Sequence, residues 1–208
     1  IVMRHPIPGS CVQLANFVDS VIVNAGDGTH EHPTQAMLDI MSIKEKFKKI
    51  KGLNIGIVGD ILHSRVALSN IFGLIKLGAN VKVCGPPHLI PSHIEDLGVG
   101  IEYDFDSIID WADALNMLRI QRERMGTGIV PSNREYRFLY GLTKERLERH
   151  KKELVVMHPG PINRGVEIDS YVADSDQAII LDQVLNGVAS RMSILYLLLS
   201  TGELIEGK

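Results

Sequence analysis

The feature that most narrows the fold is an alternation of short, largely apolar runs with segments of helical pattern. Runs of strand type fall at Val21–Asn24, Leu53–Val58, Asn80–Cys84, Ile101–Tyr103, Ala114–Met117 and Leu154–Met157. Helical patterns cover Ser10–Phe17, Pro33–Phe47, Ser64–Leu77, Ser107–Ala112 and Thr143–His150. Strands without polar alternation are buried on both faces, the condition of a parallel sheet whose helical crossovers lie on either side. The chain is therefore expected to be α/β, with parallel sheets covered by helices on both faces. Its 208 residues suffice for a full core, since a chain of this size buries roughly 70% of the surface its extended form exposes.

Composition removes several function classes. A net charge of −3, from 22 Lys and Arg against 25 Asp and Glu, excludes a generally basic nucleic-acid binder. Aromatic residues make up 5%, too few for base-stacking platforms. No apolar run approaches the ~18 residues of a membrane span. Two cysteines, Cys11 and Cys84, form no disulfide framework, as in a reducing compartment. The opening Ile1-Val2-Met3 followed by Arg4-His5-Pro6 reads as the end of a buried strand running into a loop. It has neither an initiator Met nor the charged start of a signal peptide, so the first residue reads as a cut through a longer protein. At the other end Ile180, Val184, Val188, Met192, Leu195 and Leu199 recur at helical spacing, which predicts a long, packed core helix. The lysines between 44 and 51 read as a solvated helix end. A fresh strand after Lys48–Gly52 marks the one candidate boundary.

In a parallel sheet, ligands bind beyond the carboxyl ends of the strands. The residues expected there are Arg4–His5, Gly26–His32, Gly59–Arg65, Arg119–Gln121 and His158–Arg164. His32 and Gln35, three apart at a helix start opened by Pro33, can face one ligand beside the positive end of the helix dipole. A neutral imidazole donates to a carbonyl oxygen, and an amide binds an adjacent NH₂. Arg65 opens a very apolar helix, where an arginine gains nothing from the dipole or from packing; an anionic ligand explains it better. Arg119 and Gln121 fall on one side of an extended segment. The prolines in His158-Pro159-Gly160-Pro161 stiffen a loop and remove donors, leaving carbonyls to accept from an amine. His30 and His32 also have the look of a metal pair at a strand end. A metal-hydrolase barrel, however, needs about 250 residues, and no His-Glu-x-x-His is present. The turn Gly56-Ile-Val-Gly59 lacks the third glycine of a dinucleotide fingerprint. There is no nucleophile–base pair. Arginines, one neutral electrophile, an amide and carbonyls together suit transfer of a group between bound anions.

Arg4-His5-Pro6, His32-Pro33-Thr34-Gln35, Arg119-x-Gln121-x-Glu123-Arg124 and His158-Pro159-Gly160-Pro161-x-Asn163-Arg164-Gly165 resemble, in order and over nearly the whole chain, the catalytic chains of the aspartate carbamoyltransferases. Ornithine-type relatives usually carry Cys in place of Thr34 and His-Cys-Leu-Pro in place of the second loop. The resemblance implies a remnant of a carbamoyl-phosphate domain at 1–48 and a Rossmann-like aspartate domain at 49–176. It adds a C-terminal helix region at 177–208 that packs back toward the first domain. It implies transfer of the carbamoyl group from carbamoyl phosphate to L-aspartate, early in pyrimidine synthesis. The setting it implies is a cytoplasmic homotrimer with shared active sites, to which regulatory or dihydroorotase chains can be joined. The resemblance implies no cofactor, metal, nucleic acid or membrane.

By motif, Arg4 would hold the phosphate and carbonyl end and His32 the carbonyl oxygen. Gln35 with the backbone at Pro159–Gly160 would hold the carbamoyl NH₂. Arg65 would take the α-carboxylate of aspartate, Arg119 and Gln121 its β-carboxylate, while Glu123 and Arg124 organise a mobile loop. The family's Ser-Thr-Arg-Thr phosphate loop, and the Ser and Lys lent by a neighbouring subunit, are not among these residues, so the 208 residues alone are expected to be inactive. The alternatives are an ornithine-type or other carbamoyltransferase, a non-catalytic partner chain of the same fold, and the metal hydrolase.

Overall fold

The computed structural model describes residues 1–120, 132–150 and 153–200. Its centre is β3 (Asn54–Val58), whose side chains enter two separate apolar clusters. Ile55 and Ile57 pack with Ala67, Ile71 and Leu74 of α3 (Arg65–Lys76) on one face. Val58 meets Ile108 and Ile109 of α4 (Phe105–Trp111) on the other. A strand with no exposed face has no use for alternating polar residues, which is why the run is apolar throughout.

Around β3 lies a five-stranded parallel sheet, completed by β4 (Asn80–Cys84), β5 (Gly100–Glu102), β6 (Ala114–Met117) and β7 (Val155–Met157). The strand order is β5-β4-β3-β6-β7. The chain steps outward from β3 to β5, then returns through α4 to lay β6 on the opposite side of β3. That reversal opens a crevice between the carboxyl ends of β3 and β6, the usual ligand position in such sheets. On the α4 face lie α5 (Asn133–Tyr140), α6 (Lys144–Arg149) and the short α7 (Ser170–Ala173), which contribute Tyr136, Tyr140, Leu147 and Val172 to the cluster.

A second, two-stranded parallel sheet pairs β1 (Val2–His5) with β2 (Val23–Asp27), Val2 opposite Val23, with α1 (Ser10–Ala15) between them. From β2 the chain runs into α2 (Pro33–Phe47), which packs against both α3 and α8 (Ile180–Leu199). Local chemistry starts the helices: Pro33 occupies the first turn of α2, and Ser64 Oγ accepts from Ala67 N (3.2 Å) at the head of α3.

Among the described residues β1 pairs with β2 along one edge, and Ile1 and Val2 are exposed. One expectation needs correction. The last helix forms over the predicted residues but is not a core helix. Val184, Val188, Met192 and Leu199 are more than half exposed, whereas Gln183, Asn186 and Gly187 are buried. The reason is hydrogen bonding. Asn186 Nδ2 donates to Ser42 Oγ (3.0 Å) and Glu45 Oε2 (2.7 Å), and Gln183 reaches Asp39, so the polar face turns toward α2. Among the described residues no helix is long and apolar enough to cross a membrane.

Candidate active site

A cleft of about 500 Å³ lies at the crevice between the carboxyl ends of β3 and β6, lined also from β1 and α8. Arg4, His32, Gln35, Arg65, Arg119, Pro159 and Gly160 all line it. These are the predicted site residues apart from Gln121, which lies outside the described residues with Glu123 and Arg124.

They arrive from several elements. Arg4 extends from β1. His32 and Gln35 sit at the head of α2, where His32 N donates to Ser69 Oγ (2.9 Å) and that hydroxyl donates to Glu31 Oε2 (2.5 Å). Arg65 is the first residue of α3 and is buried although charged. Its side chain crosses the backbone of Gly26, which has a φ of +117°; a Cβ there would stand 2.6 Å from Arg65 Nη1. Glycine at 26 therefore makes room for the guanidinium as well as allowing the backbone conformation. Arg119 follows β6, and Pro159–Gly160 follow β7 in a loop whose Gly160–Pro161 peptide is cis.

That loop is pinned from behind. His158 and Glu167 are both buried, with Nε2 3.1 Å from Oε1, and His158 Nδ1 accepts from Gly160 N (2.9 Å). The accepting Nδ1 assigns the ring proton to Nε2, which donates it to Glu167. Glu167 Oε1 also accepts from Asn163 N (2.6 Å).

The electrostatics favour a neutral His32. Burial lowers its pKa from the ordinary value to about 4, with Arg191, Arg4 and Arg65 adding their repulsion in that order. Such a ring donates one hydrogen bond without carrying charge, while the arginines around it attract anions.

Arg191, on α8, lines the cleft and was not predicted. It donates to Gly187 O (3.1 Å) and stands 3.5 Å from Gln35 Oε1. A readable cue existed: Arg191 is the only basic residue within Ile180–Leu199, the same anomaly that singled out Arg65. Other expected polar residues lie elsewhere. Arg164 makes paired hydrogen bonds to Asp174 (2.7 Å each), and His5 Nδ1 takes Ser10 Oγ (2.8 Å). His30 and His32 part company, His30 turning half-exposed toward Asp27 at 3.6 Å. Among the described residues no group of three His, Cys, Asp or Glu could hold a metal ion. A larger cavity, about 880 Å³, lies beside α5 and α6, where Arg137 pairs with Asp169 (2.6 Å) and Arg146 with Asp106 (3.3 Å).

Two family descriptions fit the chain. Residues 51–198 match the aspartate/ornithine carbamoyltransferase Asp/Orn binding domain, and residues 1–45 match the carbamoyl-P binding domain. The chain belongs to the aspartate/ornithine carbamoyltransferase family. Within that family it is 61% identical over 200 residues to the aspartate carbamoyltransferase catalytic subunit of Christiangramia forsetii, covering 96% of this chain and 64% of that one. The corresponding subunit of Flavobacterium psychrophilum is 59% identical, with 96% and 65% covered. The chain thus spans a little under two thirds of the length of these relatives. The solved catalytic subunit of M. jannaschii aspartate transcarbamoylase superposes with a TM-score of 0.79 at 34% identity, over 100% of this chain and 68% of that one. The Trypanosoma cruzi enzyme in complex with N-(phosphonacetyl)-L-aspartic acid gives 0.81 at 28%, over 94% and 64%. Ornithine carbamoyltransferase of Pyrococcus furiosus gives 0.80 at 26%, over 95% and 65%. Shape therefore marks this carbamoyltransferase family without separating its two acceptor classes; the identities lie on the aspartate side.

Proposed function

We propose that this chain carries the aspartate half of an aspartate carbamoyltransferase site, in which carbamoyl phosphate gives its carbamoyl group to the amine of L-aspartate and phosphate leaves. The observation that carries this reading is the cleft itself. One neutral imidazole faces a cavity edged by Arg4, Arg65, Arg119 and Arg191, beside the amide of Gln35 and the carbonyl-rich Pro159–Gly160 loop. In this reading Arg4 and Arg191 neutralise the phosphate side. His32 donates to the carbonyl oxygen as it gains charge. Gln35 and the loop accept from the carbamoyl NH₂, while Arg65 and Arg119, with Gln121, hold the two carboxylates of aspartate. Attack of the amine on the carbonyl carbon forms the C–N bond, the C–O bond to phosphate breaks, and the amine proton leaves with the phosphate or solvent. Positioning and charge supply the catalysis.

Residues 1–48 would close a carbamoyl-phosphate unit, 49–176 form the aspartate unit, and 177–208 return to the first. We place the protein in the cytoplasm, in pyrimidine synthesis, as a homotrimer with shared sites; the relatives' name, catalytic subunit, supports an assembly of several chains. With Arg4 and Arg191 the only phosphate-side cations in the cleft among the described residues, the 208 residues by themselves would bind anions weakly and turn nothing over.

The test measures carbamoyl transfer to L-aspartate and to L-ornithine, by the 208 residues and by the product of the whole reading frame. Carbamoyl aspartate from the latter alone is the expected result. A better yield with ornithine overturns the acceptor, and turnover by the 208 residues overturns the incomplete phosphate site.

A further inference from the structure

We infer that Asp39 is a positioning residue for the carbamoyl group: one buried carboxylate fixes the orientation of both acceptors that face the carbamoyl NH₂. The inference rests on the carbamoyl reading of the cleft. Asp39 has no exposed surface and lies one helical turn beyond Gln35 on α2. It takes four side-chain amides from four elements. Oδ1 accepts from Gln35 Nε2 (3.0 Å) and Gln183 Nε2 (2.7 Å), and Oδ2 accepts from Asn70 Nδ2 (2.8 Å) and Asn116 Nδ2 (3.4 Å).

A carboxylate only accepts, so it admits only the NH₂ end of each amide. For Gln35 this settles which end remains: Oε1 points into the cleft, where it stands 3.5 Å from Arg191 Nη2. A ligand NH₂ at that place meets an acceptor, whereas the flipped amide would present a donor to it. The second arm runs through Gln183. With its Nε2 committed to Asp39, its Oε1 faces His158 and accepts from His158 N (2.9 Å). The His158 backbone leads directly into Pro159–Gly160, so the loop carbonyls take their position from the same carboxylate. Both arms are buried, where a misplaced amide leaves unpaired groups and is strongly disfavoured.

The test compares two stable ligands that differ only where the inference acts. Phosphonoacetamide carries the NH₂; acetonylphosphonate has a methyl group there. Each is titrated into the 208-residue chain and followed by ³¹P NMR, which reads millimolar affinities. Two neutral hydrogen bonds separate the ligands, so the parent chain should prefer the amide by about thirtyfold. In Asp39→Asn the amide should lose about tenfold while the methyl ketone changes by less than about threefold, because one of the amides must turn. The ratio cancels any general effect of the lost charge on phosphonate binding. Gln183→Met, which frees only the loop arm, should lower the ratio by about fivefold and decides the matter if Asp39→Asn does not fold. Equal loss for both ligands, or a parent-like ratio in the folded variant, overturns the positioning role. A parent chain without preference for the amide overturns the carbamoyl reading itself, and Asp39's role with it.

Discussion

His32 carries the sharpest prediction at the scale of single residues, because its environment and its proposed task make the same demand. Burial, then Arg191, Arg4 and Arg65, hold its pKa at about 4. Between about 4 and the unperturbed value near 6.5 the unfolded chain takes up a proton that the native ring refuses, so this residue makes stability fall as pH falls through that window. Above the window its contribution is constant. A ¹H–¹⁵N titration should show the His32 imidazole still neutral at pH 5.5; a midpoint near 6.5 would contradict the environment described. In the whole enzyme, His32→Ala should lower kcat by about 10²–10³ with little change in the aspartate KM, the mark of a donor used in the transition state. Arg119 should behave oppositely. Charge-assisted pairs contribute roughly 1.5–3 kcal/mol per bond, so Arg119→Ala should raise the aspartate KM by about tenfold or more and leave that of carbamoyl phosphate near its original value. Steady-state kinetics with each substrate varied checks both. These residues were legible because parallel strands deliver their functional groups at one end. Asp39 and Gln183 were not, since a carboxylate or amide on a helix reads as solvated until the partner helix is known.

At the scale of elements, what the sequence conveyed best was where helices begin and strands run. Pro33 opens α2, and β4 and β6 occupy the expected residues. The helix Asn133–Tyr140 went unforeseen although Tyr136 and Tyr140, four apart, are both buried; its first turn is polar, and the exposed Phe138 and Leu139 break the spacing. The last helix shows the limit of periodicity. When a helix is apolar nearly all round, its pattern does not say which side a neighbour covers. Here two amides chose the side, since an unpaired buried amide costs more than an exposed methyl group. For α3 the cap decides both stability and function, because Ser64 starts the helix whose first residue is Arg65. Ser64→Ala should cost about 1 kcal/mol and lower Tm by roughly 2–4 °C, and the aspartate KM should rise as Arg65 loses its seat. An unchanged melting curve would show that Ala67 N finds another partner.

For the molecule as a whole, much of the apolar surface of α8, together with Ile1, Val2, Val12 and Phe17, is exposed among the described residues. Exposed apolar surface drives association where it is contiguous. Sedimentation velocity should show self-association growing with concentration, and replacing Leu185, Val188 and Met192 by Gln or Lys should reduce it without altering the α2–α8 hydrogen bonds. A chain monomeric at every concentration would mean that the surface is too divided to act as a patch.

The bond between Asp39 and Gln183 joins residues 144 positions apart. During synthesis Asp39 must therefore wait until α8 has been made before its amide from Gln183 arrives. The two cluster-forming faces of the sheet can condense meanwhile, since β3, α3, β4 and α4 follow one another closely along the chain. Within the described residues the cleft is thus settled after the sheet, and a chain without α8 would keep most of the sheet's core while the Asp39–Gln183 arm stayed unfixed.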